Sequence, residues 1–117
     1  MRDDKNNLIV NLTFDFALKI ITFSERLRQL KKFEMAGQLF KSGTSIGVNI
    51  RKTQNAESKA DFIYKFKIAA KEIDETEYWM ELCKDSNHYP DPEKELFEDL
   101  KLINKVVSKI ISSSKKS

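Results

Sequence analysis

Three glycines and two prolines among 117 residues leave this chain almost without turn-formers. That excludes a sheet protein built from many hairpins and points to helices. A single cysteine, Cys83, excludes an intramolecular disulfide and fits a reducing compartment. A single histidine, His88, excludes His-pair metal sites, and one Cys with one His cannot close a structural zinc site. No stretch approaches the roughly 20 apolar residues of a membrane span. The opening MRDDKNNLIV carries two acids instead of the apolar run of a secretory signal. G-x-G-x-x-G and the P-loop lysine motif are both missing. Together these absences predict a cytoplasmic protein that is not an enzyme, with no metal, no cofactor and no membrane partner.

What is present is charge and helical rhythm. Charged residues make up 33% of the chain, 21 basic against 18 acidic, for a net charge of +3. One domain fills residues 1–117, with frayed tails expected at 1–10 and 112–117. Asn11 or Thr13 can cap a first helix running to about Lys32, with the core row Phe16, Ile20, Phe23, Leu27 and Leu30. A turn near 31–34 leads to a second helix over about 34–55. Ser58-Lys59-Ala60-Asp61 resembles a capping box and opens a third helix to about Ser86. Its core row is Phe62, Phe66, Ala69, Ile73, Thr76, Met80 and Cys83. After the loop that opens at Asn87, a fourth helix is expected from about Pro92, with the row Leu96, Leu100, Ile103, Val107 and Ile110. Four amphipathic helices with short connections predict an all-α, antiparallel up-down four-helix bundle.

The second helix carries two adjoining rows at the same 4, 3, 4 spacing. Met35, Leu39, Gly43, Ile46 and Ile50 form an apolar row. Beside it stand Gln38, Ser42, Ser45 and Asn49, where a surface helix would usually place long charged side chains. Small hydroxyls and amides predict a buried, hydrogen-bonded contact with a neighbouring helix, and Gly43 and Gly47 would let that neighbour come close. The third helix has a second face about 200° from its core row. There Tyr64, Ile68, Tyr78 and Leu82, with Trp79 at the edge, read as an oligomer interface. Phe14, Leu18 and Ile21 repeat the hint on the first helix. On the fourth helix, Lys94, Lys101, Lys105 and Lys109 lie on the outward side, and Arg51 and Lys52 end the second. A lysine row is ordinarily a solvated face. Repeated around an oligomer it becomes a basic field for RNA or DNA phosphates, so Lys101, Lys105, Lys109, Arg51 and Lys52 are the nucleic-acid candidates. A protein-interaction scaffold is the competing reading.

The stretch QLFKSGTSIGVNI fits the pattern Q-L-x-[RK]-S-x-x-S-I-x-x-N-I. It resembles the bacterial four-helix-bundle proteins encoded in 23S ribosomal-RNA intervening sequences, often labelled ribosomal protein S23-like. FIYKFKIAAKEIDETEYWMEL is similar to their second signature, and the two segments cover about half of the chain. Gln38, Lys41, Ser42, Ser45, Asn49, Glu75 and Glu77 fall on the pattern. Two positions depart from it: Arg51-Lys52-Thr53 stands where Ala-Glu-Gly is usual, and Glu72 replaces a serine. The resemblance implies a ring-like homopentamer. It also implies kinship of fold with the accessory proteins of diversity-generating retroelements, which are basic pentamers that bind nucleic acid.

Overall fold

The structure, a computed structural model, describes the backbone of residues 4–116 and the side chains of 8–116. Four helices follow one another: α1 (Asp4–Gln29), α2 (Phe33–Lys52), α3 (Lys59–Asp85) and α4 (Lys94–Lys116), with a 3-10 turn at Thr53–Asn55. Each helix packs against its two neighbours, α4 returning to α1, while the backbones of the diagonal pairs α1/α3 and α2/α4 make no close approach among the described residues. The result is a square four-helix bundle, 47 × 20 × 20 Å.

The core comes from the periodic rows. Met35, Leu39, Gly43, Ile46 and Ile50 of α2 are all buried, as are Leu96, Leu100, Ile103, Val107 and Ile110 of α4. On α3 the row from Phe66 to Cys83 is buried, and Phe62 packs from the rim with its ring centroid 4.9 Å from that of Phe66. Burying a large apolar side chain contributes roughly 1.5–3 kcal/mol, and these rows supply most of the driving force.

Where the helices begin and end depends on local chemistry. Ser58 caps α3 by accepting from the Asp61 N–H at 3.0 Å, and Asp61 Oδ2 accepts from the Glu57 N–H at 3.0 Å. Lys65 also donates to Asp61 at 2.6 Å, and this bond with the Glu57 bond holds the Asp61 carboxyl below its usual range. Helix α4 starts at Lys94, two residues beyond the expected Pro92.

Three expectations need correcting. The tails expected at 1–10 and 112–117 are helical over 4–10 and 112–116; Met1–Asp3 and Ser117 lie outside the described residues. The reason at the first end is that Ile9 is fully buried and Val10 packs on the core, which draws α1 back to Asp4. Thr13 is therefore no cap. It is buried in mid-helix, its hydroxyl donating to the Ile9 carbonyl at 2.8 Å. At the other end, Ile110 and Ile111 carry the apolar face to the last turns, and Lys115 and Lys116 suit the negative end of the dipole. Finally, Leu30 is 51% exposed, because α1 stops at Gln29 and Leu30 falls in the turn.

That turn is closed by a lysine in an unusual conformation. Lys31 has φ 62°. The Lys32 N–H donates to the Leu27 carbonyl at 2.8 Å and the Lys31 N–H to the Arg28 carbonyl at 2.9 Å. These are the two bonds of a Schellman motif, whose left-handed position normally holds glycine. A Cβ there costs on the order of 1 kcal/mol. Lys31→Gly should therefore stabilise the fold by about 1 kcal/mol, raising the melting temperature by roughly 4 °C in a scanning calorimeter.

Candidate nucleic-acid interface

The charges are segregated along the bundle. From Leu100 to Lys116, α4 carries five lysines and no acid; its opening holds Glu95, Glu98 and Asp99. From Lys71 to Asp85, α3 carries six acids against two lysines, while its start holds Lys59, Lys65 and Lys67. Because α3 and α4 are antiparallel neighbours, acidic half lies beside acidic half and basic beside basic. The long axis is thus polarised, negative at the α3–α4 turn and positive at the opposite end. A net charge of +3 conceals this arrangement.

Ion pairing sharpens the contrast. Lys19 of α1 reaches across to α4, donating to Asp99 Oδ2 at 2.6 Å and pairing with Glu95. Hydrogen bonding to Asp99, then to Glu95, holds the Lys19 ammonium well above the usual lysine range. Lys94 sits 4.0 Å from Glu98. Lys101, Lys105 and Lys109 are exposed on the outward face of the other half of α4, with no carboxylate within salt-bridge distance among the described residues. Their i, i+4 spacing sets successive ammonium groups along a rigid helix at a rise of about 6 Å.

Arg51 and Lys52 are exposed at the end of α2, at the same positive end of the molecule. They do not extend the α4 row, because α2 and α4 occupy diagonal corners. The Arg51 guanidinium stands 5.4 Å from the centroid of the Phe14 ring. It borders a cleft of about 280 Å³ between α1 and α2, lined by Phe14, Ala17, Thr44, Gly47 and Val48 among others.

The polar row of α2 departs from expectation. Only Ser42 is buried, and its hydroxyl has no hydrogen-bond partner. Gln38 is exposed, while Ser45 and Asn49 are half-buried. The Ser45 hydroxyl donates to the Lys41 carbonyl at 2.6 Å and Asn49 Nδ2 to the Ser45 carbonyl at 2.9 Å, so both bond along their own helix. A 3.6-residue period places these residues beside the core row, but whether the flank is covered depends on how far α3 reaches over it. Across that groove, burial, the adjacent Glu75 and a shared hydrogen bond raise the Glu72 carboxyl above its usual range, and the Lys41 charge opposes this.

On α3, Tyr64, Tyr78 and Leu82 are exposed, whereas Ile68 and Trp79 are half-buried. The Tyr78 and Trp79 rings meet edge to face at 5.4 Å, and the Trp79 indole N–H is buried without a partner. Exposure is not confined to that face. Phe14, Leu18 and Ile21 of α1 are joined by Phe33, Phe40 and Val48 of α2, all exposed. The α2 members escaped the sequence reading. Phe33 and Phe40 lie seven residues apart, a signal that was available in the sequence. Burial pushes the Cys83 thiol up to about 11, which leaves it inert as a nucleophile. His88 is exposed in the loop. Among the described residues no helix is long and apolar enough to cross a membrane.

Comparison with known proteins follows the same outline. The profile of a family described as 23S rRNA-intervening sequence protein matches residues 5–113. A solved structure from Bacteroides thetaiotaomicron VPI-5482, a protein of unknown function from the S23 ribosomal protein family, is 39% identical with a TM-score of 0.86. That match covers 92% of this chain and 98% of the other. No curated protein matches.

Proposed function

Since the chain belongs to the 23S rRNA-intervening sequence protein family, whose function is unsettled, we propose from the charge geometry that it is a non-enzymatic cytoplasmic homo-oligomer that binds RNA or DNA phosphates. One observation carries the reading: three exposed lysines with no ion-pair partner among the described residues, on one rigid helix face at the positive end of a charge-polarised bundle. Phosphate contacts of this kind carry no base information, so binding is tolerant of sequence. The assembly, a pentamer on the family resemblance, multiplies the row by the number of subunits. Tyr64, Ile68, Tyr78, Trp79 and Leu82 supply its contacts.

The test is a titration of the wild-type protein with rRNA fragments and with duplex DNA between 50 and 200 mM salt. Each neutralised duplex phosphate contributes a slope of about −0.9 to log K against log salt. Three phosphates per subunit predict a loss of about 40-fold over that range, and two subunits sharing one duplex a loss of about 10³-fold. Absence of binding at 50 mM salt, or binding indifferent to salt, overturns the proposal. A second reading, a self-associating interaction scaffold with no nucleic-acid role, is favoured by the exposed aromatic and aliphatic surface and would then take its place.

A further inference from the structure

We propose that the cleft between α1 and α2 receives one unpaired ribonucleotide of an RNA, its base against Phe14 and its phosphate on Arg51. The proposal rests on the nucleic-acid reading above and adds a contact apart from the α4 row. Two hollows meet at Arg51. The α1–α2 cleft of about 280 Å³ is lined by Val10, Phe14, Ala17, Gly47 and Val48 among others. Beside it, a hollow of about 380 Å³ is lined by Val10, Arg51, Gln54 and Asn55. Val10 and Arg51 belong to both, so a cation stands where an apolar slot adjoins a polar basin. Among the described residues no acid lines either hollow; Asp15, next to Phe14 in sequence, is in neither lining. Such a junction complements an anion that carries a flat, apolar-faced group.

The polar groups narrow the choice. Thr13 and Thr44 already donate to the carbonyls of Ile9 at 2.8 Å and Phe40 at 2.7 Å, so the slot offers hydroxyl acceptors but no free hydroxyl donor. In the basin, the Gln54 side-chain oxygen is covered and has no hydrogen-bond partner among the described residues, and Asn55 is exposed. Turning the Gln54 amide toward a ligand therefore breaks no bond at its oxygen. Each amide can both donate and accept, as a ribose 2′-hydroxyl does. Gly47 is the second clue. A Cβ there would sit 3.5 Å from the Thr13 carbonyl oxygen, an ordinary contact, whereas at Gly43 it would lie 2.8 Å from Ile20 Cγ2. The helix approach thus demands glycine at 43 and not at 47, where alanine would also suit the helix better. What the missing methyl keeps open is the cleft. A free phosphate would use Arg51 and leave the slot empty, and an acyl chain would fill the slot and leave two amides idle. A nucleotide engages all three parts. Its base must be unpaired, because in a duplex both faces are stacked on neighbours. Phe14 is 50% exposed, and the Arg51 guanidinium lies 5.4 Å from its ring centroid, so the base meets an aromatic ring and a planar cation together.

The test compares two RNA hairpins of one sequence, fully paired or with one adenosine bulged from the stem, at about 100 mM salt. In fluorescence anisotropy the wild-type full chain should hold the bulged hairpin at least about 10-fold tighter, the effect of stacking one base on an aromatic side chain. Phe14→Leu keeps the apolar bulk and removes the π face. It should bring the bulged hairpin to within about three-fold of the paired one and leave the paired hairpin unchanged. Gly47→Ala should be at least as stable as wild type in urea, yet lose about five-fold or more of the preference because its methyl occupies the cleft. A 2′-deoxyadenosine bulge should cost about three-fold, the effect of one hydrogen bond. Equal binding of the two hairpins, or a preference that survives either substitution, overturns the proposal, while salt-dependent binding of the paired hairpin leaves the α4 reading standing. If neither hairpin binds, the nucleic-acid reading falls and this site falls with it. Calorimetric binding of decanoate with no preference for the bulge assigns the cleft to an acyl chain. Free adenosine monophosphate binding as tightly as the bulged hairpin assigns it to a free nucleotide, and either result overturns the RNA assignment.

Discussion

Changing Lys101, Lys105 and Lys109 together to Glu should weaken nucleic-acid binding by at least about 10²-fold at 100 mM salt and reduce the salt slope by about three. The size follows from the geometry. Among the described residues the three ammonium groups have no carboxylate partners to be freed by the change, so their charge is available to phosphates. Reversing them converts three attractions into three repulsions at the positive pole of the bundle. The loss should be the same for every sequence tested, because phosphate contacts position a nucleic acid without reading it. Two controls separate this from a folding effect. Lys101→Gln, Lys105→Gln and Lys109→Gln together remove the charge without placing acids in the second half of α4, where they would oppose the helix dipole by about 0.3–1 kcal/mol each. They should flatten the slope nearly as much. Lys94→Gln, at the acidic end and already close to Glu98, should leave binding within a factor of about two. If filter binding or anisotropy finds the triple Glu variant unchanged, α4 is not the nucleic-acid surface.

Arg51→Glu with Lys52→Glu tests the other corner. The sequence reading grouped these residues with the α4 lysines because they share a sign. The structure brings the two groups to one end of the bundle but onto diagonal helices. One bundle therefore cannot use both along a single face. Linear order gave the charge of each helix end, and only the cyclic packing order could separate the corners.

The same distinction governs how much else was legible. Helix count, the buried rows of α2 and α4, the Ser58 cap and the 3.6-residue rhythm are properties of short segments, and each could be read locally. The second face of α3 was visible for the same reason, since Tyr64, Tyr78 and Leu82 stand opposite a core row of high regularity. The polar row of α2 shows where local reading stops. Gln38, Ser45 and Asn49 stand one step round the helix from buried positions, yet the square packing leaves that flank outside. Leu30 follows the α1 period but falls in a turn closed by Lys31, a residue with no compositional signal for positive φ. Ile9 was set aside within a polar-looking tail, although its burial extends α1 to Asp4. The α1–α2 face went unread as a unit because its halves lie on two helices: Phe14, Leu18 and Ile21 of α1 were read as an interface hint, while Phe33, Phe40 and Val48 of α2 join them only through the packing.

Gly43→Ala should destabilise the bundle by about 1–3 kcal/mol, whereas Gly37→Ala should stabilise it by about 1 kcal/mol, although both glycines sit within α2. The propensity gain is the same at the two sites, since Gly costs a helix interior roughly 1 kcal/mol relative to Ala. Their surroundings differ. A Cβ at Gly37 would meet nothing within 4 Å. At Gly43 it would lie 2.8 Å from Ile20 Cγ2 and 2.9 Å from Ile20 Cγ1. Those atoms belong to the branch point of a fully buried, β-branched side chain with little rotamer freedom. The new methyl can be accommodated only by separating α1 from α2 or forcing Ile20 off its rotamer, and either outweighs the propensity gain. Ile20→Ala removes both Cγ atoms, so Gly43→Ala made on top of Ile20→Ala should cost less than Gly43→Ala does with Ile20 in place. Urea denaturation of the four variants measures all of this directly. A stabilised Gly43→Ala would show that the close approach of α1 and α2 is not what holds glycine at that position.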